Sequence, residues 1–292
     1  MPDSVITYDR DQVAGLLPHG GEFQLLDRVR VAETDGIYTG TGYWYVDDKN
    51  SRRLAGVEGG PFDLTQPVHL SERVATMSSR ILTPLEWEPF KGHYPDPIGP
   101  ITPGVFSLKA LAELSWAAHG FDTSKGFGIE SLEKIRWRGM LVPGDEVELF
   151  ARNFSGKDPD ASISKKDGDG SAVEVSGLVV VGNNGDILVP AHALLEFSAQ
   201  VVGTTVLSSL DPDGQRGAPL FLGLDDVDIF GQVRDEEYLQ AIVKTKGIPS
   251  GKRAGKATAE VFSVERTGKM LPRKIMTVGN LIFGIPKPEL VN

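Results

Sequence analysis

The chain has 292 residues, 40% hydrophobic and 24% charged, enough for a packed core in one large or two ordinary domains and too apolar for wholesale disorder. A net charge of −10 and a pI near 5.1 argue against a nucleic-acid partner, because phosphate neutralisation needs clustered Lys and Arg. The absence of cysteine excludes disulfides, thiolate metal sites and a Cys nucleophile, and it fits a reducing compartment. No apolar run approaches the length of a membrane span, and the first ten residues lack the basic and apolar regions of a secretory signal. The expectation is a cytoplasmic protein that does not contact a membrane.

In chain order, residues 10 to 17 read as a short helix ended by Pro18 and Gly20. Residues 23 to 32 and the aromatic, β-branched stretch 36 to 46 read as strands. Around residues 67 to 81, Val68, Val74, Met77 and Ile81 keep roughly helical spacing. Residues 103 to 118 form the clearest helix: Thr102 can cap it, Pro103 suits its first position and Gly120 ends it. Apolar residues cover most of its circumference, so it is expected to be buried.

From Gly128 the texture changes to strands separated by turn signals. Residues 129 to 138, 146 to 154, 171 to 181 and 187 to 198 are the expected strands, and the Gly- and Asp-rich stretch 155 to 170 the expected loop. Gly128-Ile-Glu-Ser-Leu132 opens this series, and Gly223-Leu-Asp-Asp-Val227 resembles it. Three further strands follow, at 238 to 247, 256 to 264 and 274 to 283. The second series therefore reads either as a partial repeat without a buried helix of its own or as an unrelated antiparallel sheet. Residues 211 to 217 (Asp-Pro-Asp-Gly-Gln-Arg-Gly) mark the boundary, giving units 1-205 and 206-292.

Three motifs carry a family resemblance. Leu17-Pro-His-Gly-Gly-Glu-Phe-Gln-Leu-Leu-Asp-Arg-Val29 resembles the N-terminal segment of the 3-hydroxyacyl-[acyl carrier protein] dehydratases. Phe90-Lys-Gly-His-Tyr-Pro95 with Pro103-Gly-Val-Phe-Ser-Leu-Lys-Ala-Leu-Ala-Glu113 is similar to their catalytic loop and helix. Ile135-Arg-Trp-Arg-Gly-Met-Leu-Val-Pro-Gly-Asp145 is similar to their next strand and turn. The three stand in the family's order and span roughly residues 16 to 198.

The resemblance implies an α+β hot-dog fold, an antiparallel sheet wrapped around a central helix, here with a second, partial hot-dog-like unit. It implies a site where two units meet, with a histidine before the helix as the base and a carboxylate on the neighbouring unit's helix assisting loss of the β-hydroxyl as water. It also implies an acyl carrier protein partner bearing a phosphopantetheine thioester, and a homodimer or a heterodimer with another hot-dog chain. No cofactor or metal is implied.

His93 is the expected base, since abstraction of a proton α to a thioester suits imidazole near neutral pH. Gly104 and Val105, at the helix start, are the expected donors to the thioester oxygen. Gly104 also lets an acyl chain approach closely because it lacks a Cβ. His19 matches a family position and is expected to order the entry loop, while His69, His119 and His192 have no motif around them.

The pattern breaks at Lys109, where the family carries Glu or Asp. Three readings remain open. Glu113, four residues on and on the same helix face, takes the acid role with Lys109 as partner; Lys109 itself polarises the leaving hydroxyl; or another polypeptide supplies the carboxylate. An insertion at about 47-88 reads as a lid, a docking arm or a surface elaboration. Arg52, Arg53, Arg136, Arg138, Lys252, Arg253 and Lys256 are candidate basic contacts for an acidic carrier protein. The expected activity is dehydration of a 3-hydroxyacyl thioester in a fatty-acid or polyketide-type pathway. The alternatives are a half-site subunit completing a partner dehydratase and a hot-dog thioesterase.

Overall fold

The computed structural model describes residues 4–17, 19, 24–45, 60–86, 99–121, 126–153, 160–182, 189–210, 220–233, 237–248, 254–267 and 270–284. The chain opens with β1 (Ser4–Asp9), whose last residue caps α1 (Arg10–Leu16). The Asp9 carboxylate accepts from Gln12 N at 2.9 Å and the Gln12 side chain accepts from Asp9 N at 3.0 Å, a reciprocal cap that satisfies two helix-end donors. Strands β2 (Arg28–Thr34) and β3 (Ile37–Trp44) form a hairpin whose two-residue turn, Asp35-Gly36, has φ of 51° and 70°. That geometry matches the right-handed strand twist and favours these residue types.

Next come β4 (His69–Ser71), β5 (Val74–Arg80) and the helix α2 (Gly104–Ala118). Strands β6 (Phe127–Trp137), β7 (Glu146–Arg152), β8 (Ala161–Lys165), β9 (Ser171–Ser176) and β10 (Val179–Gly182) follow. A second long helix, α3 (Ala191–Leu210), precedes β11 (Leu220–Ile229), β12 (Glu237–Thr245), β13 (Ala254–Glu265) and β14 (Arg273–Gly284).

Among the described residues all strands join one antiparallel sheet in the order β1-β2-β3-β12-β13-β14-β11-β6-β9-β8-β7-β5-β4, with β10 on β6. The sheet wraps two helices. α2 packs on β5, β6, β7, β8 and β10, whereas α3 packs on β2, β3, β12 and β13. The N-terminal strands therefore stand with the C-terminal ones around α3, and β4 to β10 form the set around α2. The halves meet where β6 pairs with β11, and there Leu132 opposes Val227. Arg136 clamps the seam, with Nη2 2.5 Å from Asp225 Oδ1 and Nη1 donating to Leu224 O at 3.0 Å. Helix α3 lies against β3 because that strand offers glycines: a Cβ on Gly42 would sit 2.2 Å from Val201 Cγ2, and one on Gly40 2.0 Å from Thr205 Oγ1.

Four expectations are corrected. Of the strand expected at 187 to 198, residues 191 to 198 belong instead to α3, and residues 187 and 188 lie outside the described residues. Residues 192 to 206 are buried all round, so no apolar/polar alternation marks the helix, and its Val and Thr content favours a strand reading. The second half thus has a buried helix of its own, and position 205/206 lies inside α3. The helical spacing near residues 67 to 81 belongs to β4 and β5: Ala75, Met77, Ser79 and Ile81 are buried at period two, and the small Ala75 and Ser79 disguise it. This stretch of the expected insertion is integral to the fold, since β5 pairs with β7 along its whole length. Finally, the expected loop at 155 to 170 contains β8. Residues 211 to 217 lie outside the described residues.

Candidate active site

Helix α3 buries an unusual polar stripe. His192, Glu196 and Gln200 recur at four-residue spacing, so they share one helix face, and they are 5%, 5% and 1% exposed. A carboxylate so deeply buried is costly unless paired. Gln200 Nε2 donates to Glu196 Oε1 at 3.0 Å, and His19 Nε2 lies 3.0 Å from the same oxygen. Because the carboxylate accepts, Nε2 of His19 carries the hydrogen. Gln200 Oε1 in turn accepts from Leu25 N at 3.1 Å. The helix's hydroxyls bond back to its own carbonyls, as Ser198 does to Leu194 and Thr204 to Gln200, both at 3.0 Å.

Helix α2 faces this stripe. Its Phe106 ring lies 5.3 Å from the His192 ring, one turn from Glu196. Pro103 supplies no side-chain cap, so the first N–H groups of α2, those of Gly104 and Val105, keep the donor capacity of a helix start. Beside them Thr102 is 7% exposed, and its Oγ1 has no hydrogen-bond partner among the described residues. Gly104 is needed by the protein itself: a Cβ there would sit 2.6 Å from Trp137 Cε2, and Trp137 Nε1 donates to Gly104 O at 3.2 Å.

Lys109 and Glu113 are, with Gly104, the residues of α2 that are not buried. Lys109 Nζ and Glu113 Oε2 are 3.8 Å apart, with side chains 25% and 32% exposed, a loose pair on a partly hydrated stripe. His93 lies outside the described residues, as do Arg52, Arg53, Lys252 and Arg253. His69 is exposed on β4, and His119 Nδ1 is 2.8 Å from Ser115 O. Two of the candidate carrier-protein cations are committed within the fold, Arg136 to Asp225 and Arg138 to Glu174 at 2.7 Å.

The structure therefore places Gly104, Val105, Lys109 and Glu113 on one helix and buries a different carboxylate, Glu196, on the helix that packs against it. Sequence reasoning missed Glu196 and Gln200. The available signal was an acid and an amide four residues apart, with His192 four before, in an otherwise apolar stretch.

A family model described as ApeI-like, ApeI dehydratase, matches residues 70–173, which run from β4 into β9. The 3-hydroxyacyl-[acyl-carrier-protein] dehydratase FabZ of Psychromonas ingrahamii is 26% identical over 176 residues, covering 58% of this chain and 90% of that protein. FabZ of Clostridium novyi is 35% identical over 101 residues, covering 32% of this chain and 68% of that protein. In fold the chain resembles the dehydratase domain from the CurJ module of the curacin polyketide synthase, with TM-score 0.50 and 11% identity over 77% of this chain and 97% of that one. It resembles a GphF dehydratase similarly, with TM-score 0.51 and 10% identity over 78% and 99%. A helix wrapped by antiparallel strands, and relatives that are dehydratases in both sequence and fold, lead to one assignment: the chain belongs to the hot-dog dehydratase family that includes the FabZ 3-hydroxyacyl-[acyl-carrier-protein] dehydratases.

Proposed function

We propose that the protein dehydrates a 3-hydroxyacyl thioester to the 2-enoyl thioester, with His93 as base and Glu196 as acid. The observation that carries this reading is the buried Glu196, held by His19 and Gln200 on a helix that packs against α2. The family resemblance calls for a carboxylate on the neighbouring unit's helix, and α3 belongs to the other half of the sheet. His93 precedes α2 in sequence, and α2 touches the α3 stripe through Phe106. The base removes the α-proton, the N–H groups of Gly104 and Val105 receive charge on the thioester oxygen, and Glu196 protonates the departing β-hydroxyl. One proton leaves carbon, one reaches oxygen, and water is the product.

In this reading the chain is two hot-dog units, one nested in the other. Residues 60 to 182 form the inner unit; 4 to 45 and 189 to 284 form the outer one. A single chain then supplies both halves of a site that otherwise needs two subunits. Lys109 leaves α2 without an equivalent acid, so one site per chain follows. The natural carrier of the thioester is an acyl carrier protein, in a fatty-acid or polyketide-type pathway. A second reading, a half-site subunit that completes a partner chain, draws support from the same Lys109.

Purified protein given a 3-hydroxyacyl-pantetheine thioester tests this. Expected are loss of water, abolition by His93→Ala, and a loss on the order of 10²- to 10⁴-fold in Glu196→Gln. Glu113→Gln is expected to stay within about threefold of wild type, because losses from general acid catalysis are far larger. Full activity in Glu196→Gln sinks the acid assignment, and release of free thiol would indicate a thioesterase. Activity that emerges only on adding a second dehydratase chain would indicate the half-site subunit.

A further inference from the structure

We infer that His19 is a positioning residue that fixes the Glu196 carboxylate for catalysis; this rests on Glu196 being the acid. Glutamate has three side-chain torsions, and burial alone leaves several rotamers open. Gln200 is one turn along on the same helix, so on its own it moves with Glu196 and cannot fix it relative to the rest of the fold. His19 comes from another element, the segment between α1 and β2, and reaches Oε1 at 3.0 Å. The same segment also holds Gln200, through Leu25 N at 3.1 Å.

That segment is itself anchored. Arg10 of α1 pairs with Asp27 at 2.8 Å and donates to Gln24 O at 3.0 Å, while Gln24 Nε2 donates back to Arg10 O at 2.5 Å. The orientation of Glu196 is thereby referred to α1 and β2 instead of to α3 alone. Both donors converge on Oε1. A purely structural His19 would only satisfy a buried polar group, and its loss would appear in stability without a selective effect on turnover.

The test compares His19→Leu, His19→Gln and His19→Asn in the full chain, with Glu196→Gln as reference, by steady-state dehydration of a 3-hydroxyacyl-pantetheine thioester and by thermal midpoint. The Gln amide nitrogen can occupy the place of Nε2, whereas the shorter Asn cannot. Expected is a fall in kcat on the order of 10- to 100-fold in His19→Leu with KM within about threefold, as misorientation costs turnover more than binding. His19→Gln is expected to recover most of that loss and His19→Asn little of it, and His19→Leu is expected to cost nothing further in the Glu196→Gln background. Should His19→Leu not fold, the Gln–Asn difference at matched thermal midpoints carries the comparison. Wild-type kcat in His19→Leu, or equal kcat in the Gln and Asn variants, overturns the positioning role while Glu196→Gln stays inactive. Wild-type activity in Glu196→Gln overturns the acid assignment and the positioning role together.

Discussion

Leu132 and Val227 hold the same place in the two similar segments Gly128-Ile-Glu-Ser-Leu132 and Gly223-Leu-Asp-Asp-Val227, and they are also direct partners across the β6–β11 ladder. Antiparallel partners that are also sequence counterparts are what an approximate two-fold axis through the seam produces. Both side chains are 1% exposed, so this pair lies in core.

Truncation at this pair should be felt by both halves. Leu132→Ala is expected to cost about 2–5 kcal/mol, the usual range for removing a buried leucine. Urea unfolding followed by fluorescence and by far-UV circular dichroism should give one shared transition at a lower midpoint. Two separate transitions would show that the halves unfold independently.

The contact of α3 with β3 predicts a second loss. Gly42→Val places methyl groups where Val201 already lies, and overpacking of this kind costs about 1–3 kcal/mol or more. Combining it with Val201→Ala should recover part of the loss, measured by the same urea midpoints. No recovery would mean that the strand backbone, not Val201, bears the strain.

At the start of α2, Gly104→Ala should displace the Trp137 ring and break its bond to Gly104 O. Expected are a shifted tryptophan emission and a fall in dehydration on the order of 10-fold or more, since small displacements at a reacting centre are costly. Unchanged emission with unchanged turnover would show that the ring does not set the helix start.

Glu86 gives a pH-dependent prediction. Its carboxylate accepts from Arg80 at 2.7 and 3.0 Å and from Thr83 N and Oγ1 at 2.8 and 2.9 Å. The Arg80 hydrogen bonds foremost, then those of Thr83, hold it down from an ordinary 4.5 to about 2. A group depressed on folding stabilises above its unfolded value and loses that contribution as pH falls through its folded one. The window here is therefore about pH 4.5 down to about 2. Carbon-detected NMR titration of Glu86 should show the low midpoint, and Arg80→Met should raise it only partway, because the Thr83 donors remain. A midpoint unaffected by Arg80→Met would remove the arginine as the cause.

What the sequence made legible follows from where periodicity survives burial. Helix α2 was readable because Pro103 and Gly120 punctuate it, and β12, β13 and β14 because turn residues separate them. Helix α3 was hidden by its own success in burying every side, and with it went Glu196. The helix start at Gly104 was visible as a motif, but its reason, the Trp137 ring, lies 33 residues away and only folding brings it near. Lys109 and Glu113 attracted attention as a departure from a pattern, whereas the buried acid sits on a helix 87 residues further along than Lys109, beyond the reach of local spacing.

The nesting of one set of strands inside the other has a consequence for synthesis on the ribosome. Once residue 182 has emerged, β4 to β10 and α2 have all their partners except β11 and α3. The β1–β3 sheet must instead wait for β12, which joins β3 through pairs such as Thr41 with Ile242. Such distant closure is slow, and it leaves the β3 edge and the hydrophobic underside of β2 and β3 uncovered while the middle of the chain is made. The polypeptide thus shelters α3 last, after nearly the whole length has been translated.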